Sequence, residues 1–559
     1  MPRSDRHKRI LLELDLTQPL IEQEPSDPVG KIRTRGKPRL RAIVRTLHEA
    51  GSDARVAGLI AKVGGKTLTM SAAQELRDAV AVFAASGKPS VAWADTYGES
   101  SNGTIAYFLA SGFGEVWLQP TGELNLLGVA AEVQFLRGVL DKLGVDPQLD
   151  RRYEYKNAAD RIIQREFTPA HREASDRLTE SAWEQVVDAI TKARGLTADE
   201  LQVAVDRAPL FSEEAQQARL VDKLGYRDEV YTDVRRRLGG DVRLLFADKW
   251  TPDRTPITRI VQLAKQKSAP GIALVDGAGG IVTGRSRRSP LQGPMMGSDT
   301  ITAAFRAAVR DDKVRAILFR VDSPGGSAVA SDTIWREVKC ARQAGKPVIV
   351  SMGSMAGSGG YYVSCSADVI VATPSTLTGS IGVVGGKAVT TGLTDRIGLA
   401  YGEVHRGEHA LMYSAHQGFS KTENERLQAW LDRIYVDFTG AVAEGRGMTR
   451  EAVHEIAKGR VWTGADALKH GLVDEMGGLR TALVIARERA GLPADAPLRP
   501  AIQVPAVAKL RPPMSSEDPR AASVGVSTWW AGWGSFAEFA RVADWPMFGP
   551  LTMPLIRLG

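Results

Sequence analysis

Cysteine is almost missing from this sequence. Cys340 and Cys365 are the only two in 559 residues, too few for a disulfide framework or a cysteine-built metal cluster, so packed cores must hold the chain together. Long apolar runs are missing as well. The stretch from Met1 to Arg9 is polar and basic and leads straight into Leu11-Leu12-Glu13-Leu14-Asp15-Leu16. That alternation reads as a strand, not as a signal sequence or membrane anchor, and no other window is expected to span a bilayer. Charge of one sign is not concentrated either: the net is +7. Its local clusters, Arg235-Arg236-Arg237 and Arg285-Ser286-Arg287-Arg288, have no aromatic residues interleaved with them. They read as a solvated face or an anionic-lipid contact, and nucleic acid is not an expected partner. Histidine is scarce too. None of the eight (His7, His48, His171, His405, His409, His416, His454 and His470) sits in a glycine turn or beside a motif carboxylate. Nearly all read as surface residues, which removes the usual first suspect for a general base.

What is present is an ordinary globular composition, 43% apolar and 25% charged. Short β-branched runs alternate with helical segments at 72–86, 172–194, 422–444 and 476–490, the pattern of an α/β fold with mostly parallel strands. The most informative segment is Ser351 to Tyr362, SMGSMAGSGGYY, which follows the apolar run Val348-Ile349-Val350. Gly357, Gly359 and Gly360 surround Ser358. A strand entering a glycine turn and then a helix lifts one side chain to the sheet's end and bares backbone N–H groups beside it. An acyl-transfer nucleophile with an oxyanion hole needs that environment, although a lone glycine turn more often serves only packing. Upstream, Ala316-Ile317-Leu318-Phe319-Arg320-Val321 ends in Asp322-Ser323-Pro324-Gly325-Gly326-Ser327. Downstream lies Pro374-Ser375-Thr376-Leu377-Thr378-Gly379-Ser380-Ile381-Gly382-Val383. Three such turns, each after a short apolar run, predict neighbouring parallel strands with their carboxyl ends on one rim, where sites in open α/β sheets form.

Together these motifs resemble the signal peptide peptidase A (protease IV) family of the Clp-protease/crotonase superfamily, over roughly residues 8 to 495. The resemblance implies Ser358 as nucleophile, the N–H groups of Gly326 and Gly359 as the oxyanion hole, and Ser380 as the residue orienting the base. It also supplies the base. The family uses a lysine in a Tyr-Lys-(Ser/Asn)-Ala segment, and Tyr155-Lys156-Asn157-Ala158 matches it at Lys156. Taken alone, that lysine would read as solvated. A free lysine is about 99.9% protonated at pH 7. Burial that lowers its pKa by about 3, or roughly 4 kcal/mol, lies within what a dehydrated pocket imposes. Neither metal nor cofactor is expected.

An internal repeat explains how so distant a pair could meet. Val56-Ala57-Gly58-Leu59-Ile60 answers Val314-Arg315-Ala316-Ile317-Leu318, and Gly87-Lys88-Pro89 answers Gly345-Lys346-Pro347. Arg194-Gly195-Leu196-Thr197 answers Arg446-Gly447-Met448-Thr449, and Leu220-Val221-Asp222 answers Leu472-Val473-Asp474. The expected fold is therefore two tandem Clp-protease/crotonase-like α/β domains from an internal duplication. Residues 1–250 supply the lysine, 251–498 supply the serine and oxyanion hole, and 499–559 form a linker and tail. Each copy has lost half of a site. The first has Gly64-Gly65-Lys66-Thr67-Leu68-Thr69 in place of the proline-glycine turn and Thr104 at the serine position. The second has Glu408, expected to make contacts between repeats, at the lysine position.

The Pro/Gly/Met-rich segment 283–297 is expected to be a mobile loop near the site. In the tail, Pro505, Pro512, Pro513 and Pro519 mark a linker, followed by Trp529, Trp530, Trp533, Phe536, Phe539, Trp545 and Phe548. Trp529, Trp533 and Phe536 share one helical face, which suits either an interfacial membrane helix or docking onto the protein's own surface. The leading reading is a serine endopeptidase with a Ser-Lys dyad that degrades short apolar peptides such as cleaved signal peptides. By the resemblance it assembles as a homo-oligomer, a tetramer, around an enclosed chamber. Long members of the family carry an amino-terminal transmembrane helix. Its absence here predicts a cytoplasmic enzyme, at most peripheral at the membrane's inner face. The alternatives are a crotonase-like acyl-CoA enzyme and an inactive scaffold that organises membrane proteins.

Overall fold

The computed structural model describes residues 9–22, 34, 36–64, 68–252, 268–289, 293–501, 525–526 and 549–553. The proline linker and the aromatic residues Trp529 to Phe548 lie outside the described residues. Each repeat builds its own sheet. In the first, Arg9–Asp15, Val56–Lys62, Ser90–Ala94, Glu115–Leu118, Lys223–Leu224 and Val242–Phe246 form a six-stranded parallel sheet. In the second, Gly271–Ala278, Val314–Ser323, Val348–Gly357 and Leu377–Gly379 lie side by side and parallel in an eight-stranded sheet. Helices cover both faces, so these strands read as continuous apolar runs rather than alternating ones. Ala316 to Val321 and Val348 to Val350 are all buried.

The matching sequence segments make matching tertiary contacts. Lys88 Nζ donates to the carbonyls of Ala50 and Asp53, and Lys346 Nζ to those of Ala308 and Asp311. Tyr107 Oη donates to Leu220 O as Tyr361 Oη does to Leu472 O. Arg194 pairs with Asp222, and Arg446 with Asp474. Pro169–Arg194 and Lys421–Arg446 are both 26-residue helices, and each ends on a left-handed glycine, Gly195 or Gly447. What the duplication preserved is therefore a set of structural clamps: a lysine closing a helix-to-strand turn and an arginine–aspartate pair bracing the return.

The repeats are joined by polar contacts. Buried Arg320 of the second pairs with Glu75 of the first at 2.7 Å and also with Glu22. Gln74 accepts from the backbone and hydroxyl of Ser375, and Arg177 bridges to Asp466 at 2.9 Å. Most important for the site, Asp146–Arg152 pairs antiparallel with Val383–Val389, from Val383 opposite Arg152 to Val389 opposite Asp146. The described parts of segment 283–297 depart from the expected loop form. Arg287–Ser289 and Gly293–Gly297 pair as antiparallel strands, and the latter lies parallel to Gly280–Val282. Among the described residues, no helix is long and apolar enough to cross a membrane.

Candidate active site

Two neighbouring strands place the two serines. Val348–Gly357 and Leu377–Gly379 run parallel in register, with Gly357 opposite Gly379. The next residue of each strand, Ser358 and Ser380, therefore emerges at the same level of the sheet edge. Both turn away with positive φ, 54° at Ser358 and 50° at Ser380. For a non-glycine residue such backbone costs on the order of 1–3 kcal/mol and persists only where its surroundings enforce it. Here Ser358 N donates to Gly379 O at 2.8 Å and Ser380 N to Arg460 O at 2.7 Å.

Lysine arrives from the other repeat. The Asp146–Arg152 ladder carries the first repeat's chain across the second and ends beside Val383, three residues after Ser380. Tyr153 N and Tyr155 N then both donate to Lys458 O, and Gly459 N donates to Ile381 O. The strip 458–460 thus clamps the lysine segment against the Ser380 turn. Its glycine is needed for the approach: Gly459 has φ +88°, and a Cβ there would lie 2.5 Å from both Cα and N of Lys156. Sequence reasoning missed this residue. Lys458-Gly459-Arg460 looks like any surface turn before an apolar strand, and only the partner that crosses it reveals the constraint.

The structure brings Lys156, Ser358 and Ser380 together, all fully buried. Lys156 Nζ lies 2.8 Å from Ser358 Oγ and 2.9 Å from both the carbonyl and the hydroxyl oxygen of Ser380. Burial pushes the lysine well below its ordinary pKa, and no carboxylate acts to hold it charged. A neutral amine has two N–H donors and one lone pair. The two oxygens of Ser380 accept the donors, which leaves the lone pair facing the Ser358 hydroxyl. Should the amine gain a proton, the same three oxygens satisfy all three N–H groups.

The glycines of the second turn lie against Gly359, the residue after the nucleophile candidate. Gly325 and Gly326 have φ +98° and +156°, and a Cβ on Gly359 would sit 3.1 Å from Gly326 N. The two backbone N–H groups named for the oxyanion hole are thus immediate neighbours at the start of Gly359–Tyr362. Ser323 braces the turn by donating to Gly279 O at 2.7 Å and accepting from Gly325 N at 3.1 Å.

Other candidate residues fall elsewhere. Thr104 opens a helix at the place equivalent to Ser358, but its hydroxyl is buried and bonded to the Gly128 carbonyl at 3.0 Å. Glu408 is exposed and accepts from Thr422 Oγ1 at 3.0 Å within its own repeat, so the expected contact between repeats does not form there. His171, expected at the surface, is buried with Nδ1 3.2 Å from Asp160. Among the described residues no histidine hydrogen-bonds to Ser358 or Lys156, and no group of acidic, histidine or cysteine side chains is arranged to hold a metal ion. Cys365 is a buried packing residue whose thiol is pushed up to about 12 by burial.

Comparison with known proteins identifies the family. Peptidase family S49 matches residues 82–239, which contain Lys156, and 340–493, which contain Ser358, Gly359 and Ser380. The chain is 31% identical to a chloroplastic serine protease SPPA of Arabidopsis thaliana over 80% of its own length, and spans 65% of that relative. It is 32% identical to protease 4 of Salmonella typhi, over 80% of this chain and 72% of the relative. With protease 4 of Haemophilus influenzae the identity is 30%, over 79% and 71%. The chain belongs to peptidase family S49, in the long form built from two such segments, and by that membership is a serine peptidase in its class.

Proposed function

We propose that this protein is an endopeptidase working through a Ser358–Lys156 dyad on short apolar peptides, cleaved signal peptides among them. The observation that carries the reading is the 2.8 Å approach of a fully buried, uncompensated lysine to a serine on a strained turn. As Ser358 Oγ attacks the scissile carbonyl, its proton passes to Lys156 Nζ. The Gly326 and Gly359 N–H groups receive the negative charge that develops on the carbonyl oxygen. Lys156 then gives the proton to the leaving amine, and water repeats the sequence in reverse roles to release the acyl group. Ser380 keeps Nζ aimed through both protonation states. Because the base comes from one repeat and the nucleophile from the other, neither repeat can act alone.

Apolar substrates suit the setting, since burial alone lowers the pKa of Lys156, with no charged partner acting on it among the described residues. Assembly into a homo-oligomer, a tetramer by family resemblance, belongs to the same reading. Ile397, Tyr401, Val404 and Tyr413 leave 53–91% of their surface exposed on one segment, which supports a partner surface there. The test is hydrolysis of an apolar fluorogenic peptide together with labelling by a fluorophosphonate probe. Both are expected of the native chain and neither of Ser358→Ala. Labelling at Ser351 or Ser354, or retention on immobilised coenzyme A with no hydrolysis, would overturn it.

A further inference from the structure

The segment Gly549–Met553 lies against the Pro324–Gly326 turn and the Val383–Val389 strand, the two elements that flank the proposed catalytic pair. It is extended and hydrogen-bonded on both sides. Gly325 and Gly326 pair antiparallel with Thr552 and Leu551, and Met553 N donates to Pro324 O at 2.7 Å. On the opposite side Val384 N, from the ladder that carries Lys156, donates to Pro550 O at 3.0 Å. The segment therefore bridges the oxyanion turn and the lysine-bearing strand pair.

Its depth is that of a ligand. Leu551 is fully buried and Met553 is 1% exposed. Met553 packs among Leu178, Met355, Leu377 and Val461, and its sulfur occupies the space beside Gly357, the residue before the nucleophile. A Cβ built on Gly325 would collide with the Leu551 carbonyl oxygen and lie 2.7 Å from Gly359 N. That places the Leu551 carbonyl alongside one of the two N–H groups assigned to the oxyanion. Main-chain pairing along a short exposed edge, with alternate side chains entering pockets, is how extended peptides are recognised. Leu551 and Met553 are two residues apart and share one face of the strand, as a bound substrate's alternate side chains would.

We infer that Gly549–Met553 is a tethered ligand of the peptide groove, an internal competitor that has to leave before a substrate strand can enter. The inference rests on the reading of this groove as the peptidase site. A ligand carried on the same chain is presented at an effective concentration of order mM. For a segment whose own dissociation constant is about 0.1 mM, that raises the apparent KM for substrate about tenfold and leaves kcat alone.

The test uses the full chain carrying Leu551→Asp and Met553→Asp together. With an apolar fluorogenic peptide its KM is expected to fall about tenfold with kcat unchanged. In parallel, a fluorescein-labelled peptide spanning residues 546–556 is titrated into Ser358→Ala with the native tail and into Ser358→Ala with the altered tail. Tighter binding to the altered tail, by about tenfold, is expected in fluorescence anisotropy. A lower kcat and melting temperature with no gain in peptide binding would make the segment a structural edge strand and overturn the inference. Unchanged KM with no peptide binding would do the same. If no form hydrolyses peptide and yet binding still depends on the tail, the peptidase reading fails while the tethered ligand stands.

Discussion

Gly459→Ala is the sharpest test of how this site is assembled, because Gly459 lies far along the chain from both dyad residues and carries no chemistry. Two costs follow from the structure. First, φ of +88° puts alanine in the left-handed region at about 1–2 kcal/mol. Second, the new Cβ would stand 2.5 Å from Cα and N of Lys156. Ordinary contact then requires the two backbones to part by roughly 1 Å, and a misplacement of that size costs on the order of 10²-fold in rate. Nζ is held by contacts of 2.8–2.9 Å, so it cannot follow without loosening from Ser358 or Ser380. Gly407→Ala is the control: its φ is +98°, with nothing within 4 Å of the added carbon. In urea denaturation Gly407→Ala should lose only the roughly 1–2 kcal/mol of the left-handed backbone, and Gly459→Ala that amount plus the cost of the displaced backbone. Only Gly459→Ala should lose about 10²-fold in kcat against an apolar peptide, with KM little changed. Near-native kcat in a folded Gly459→Ala protein would refute the idea that the 458–460 strip positions the base.

Lys156→Ala should approach the defect of Ser358→Ala, on the order of 10⁴-fold or more, and the double variant should be no worse than either; additive losses would mean the residues do not act as a unit. The rate should rise with pH through the depressed pKa of Lys156, since only the neutral amine accepts the Ser358 proton; a rate that falls over that range would contradict it. Stability moves with the same proton. The folded chain keeps Lys156 neutral where the unfolded chain would protonate it, so below the ordinary lysine pKa folding is penalised, and Lys156→Met should melt higher than wild type at pH 7. Asp322 behaves oppositely. Burial first, then the neighbouring Glu22 carboxylate, push it up to about 7 despite Arg320, and its carboxylate accepts from Met355 N at 3.0 Å. The folded state then holds a proton that the unfolded chain releases, so stability falls as pH rises from the ordinary carboxylate range to about 7. Asp322→Asn should remove that slope, and parallel melting curves for the two proteins between pH 4 and 8 would refute it.

Much of this molecule was legible before any coordinates. The apolar runs at 316–321 and 348–350 are strands because both faces are covered, and such burial leaves a continuous hydrophobic signature. The duplication showed in short matched segments because those segments, Lys88 and Lys346 or Arg194 and Arg446, close equivalent turns in each copy. Ser358 and Ser380 stood out because glycine turns at the ends of neighbouring strands are local features. Lys156 was different: only its resemblance to a family segment singled it out, since nothing in the nearby chain signals burial. What moved it from solvent to a sealed pocket is the ladder between 146–152 and 383–389, a pairing of segments from different repeats. Gly459, the exposed Glu408, the buried His171 and the docked strand at 549–553 were invisible for the same reason. Each depends on which distant segment lies against it, and local sequence records a residue's own backbone preference but not the neighbour that tertiary packing delivers.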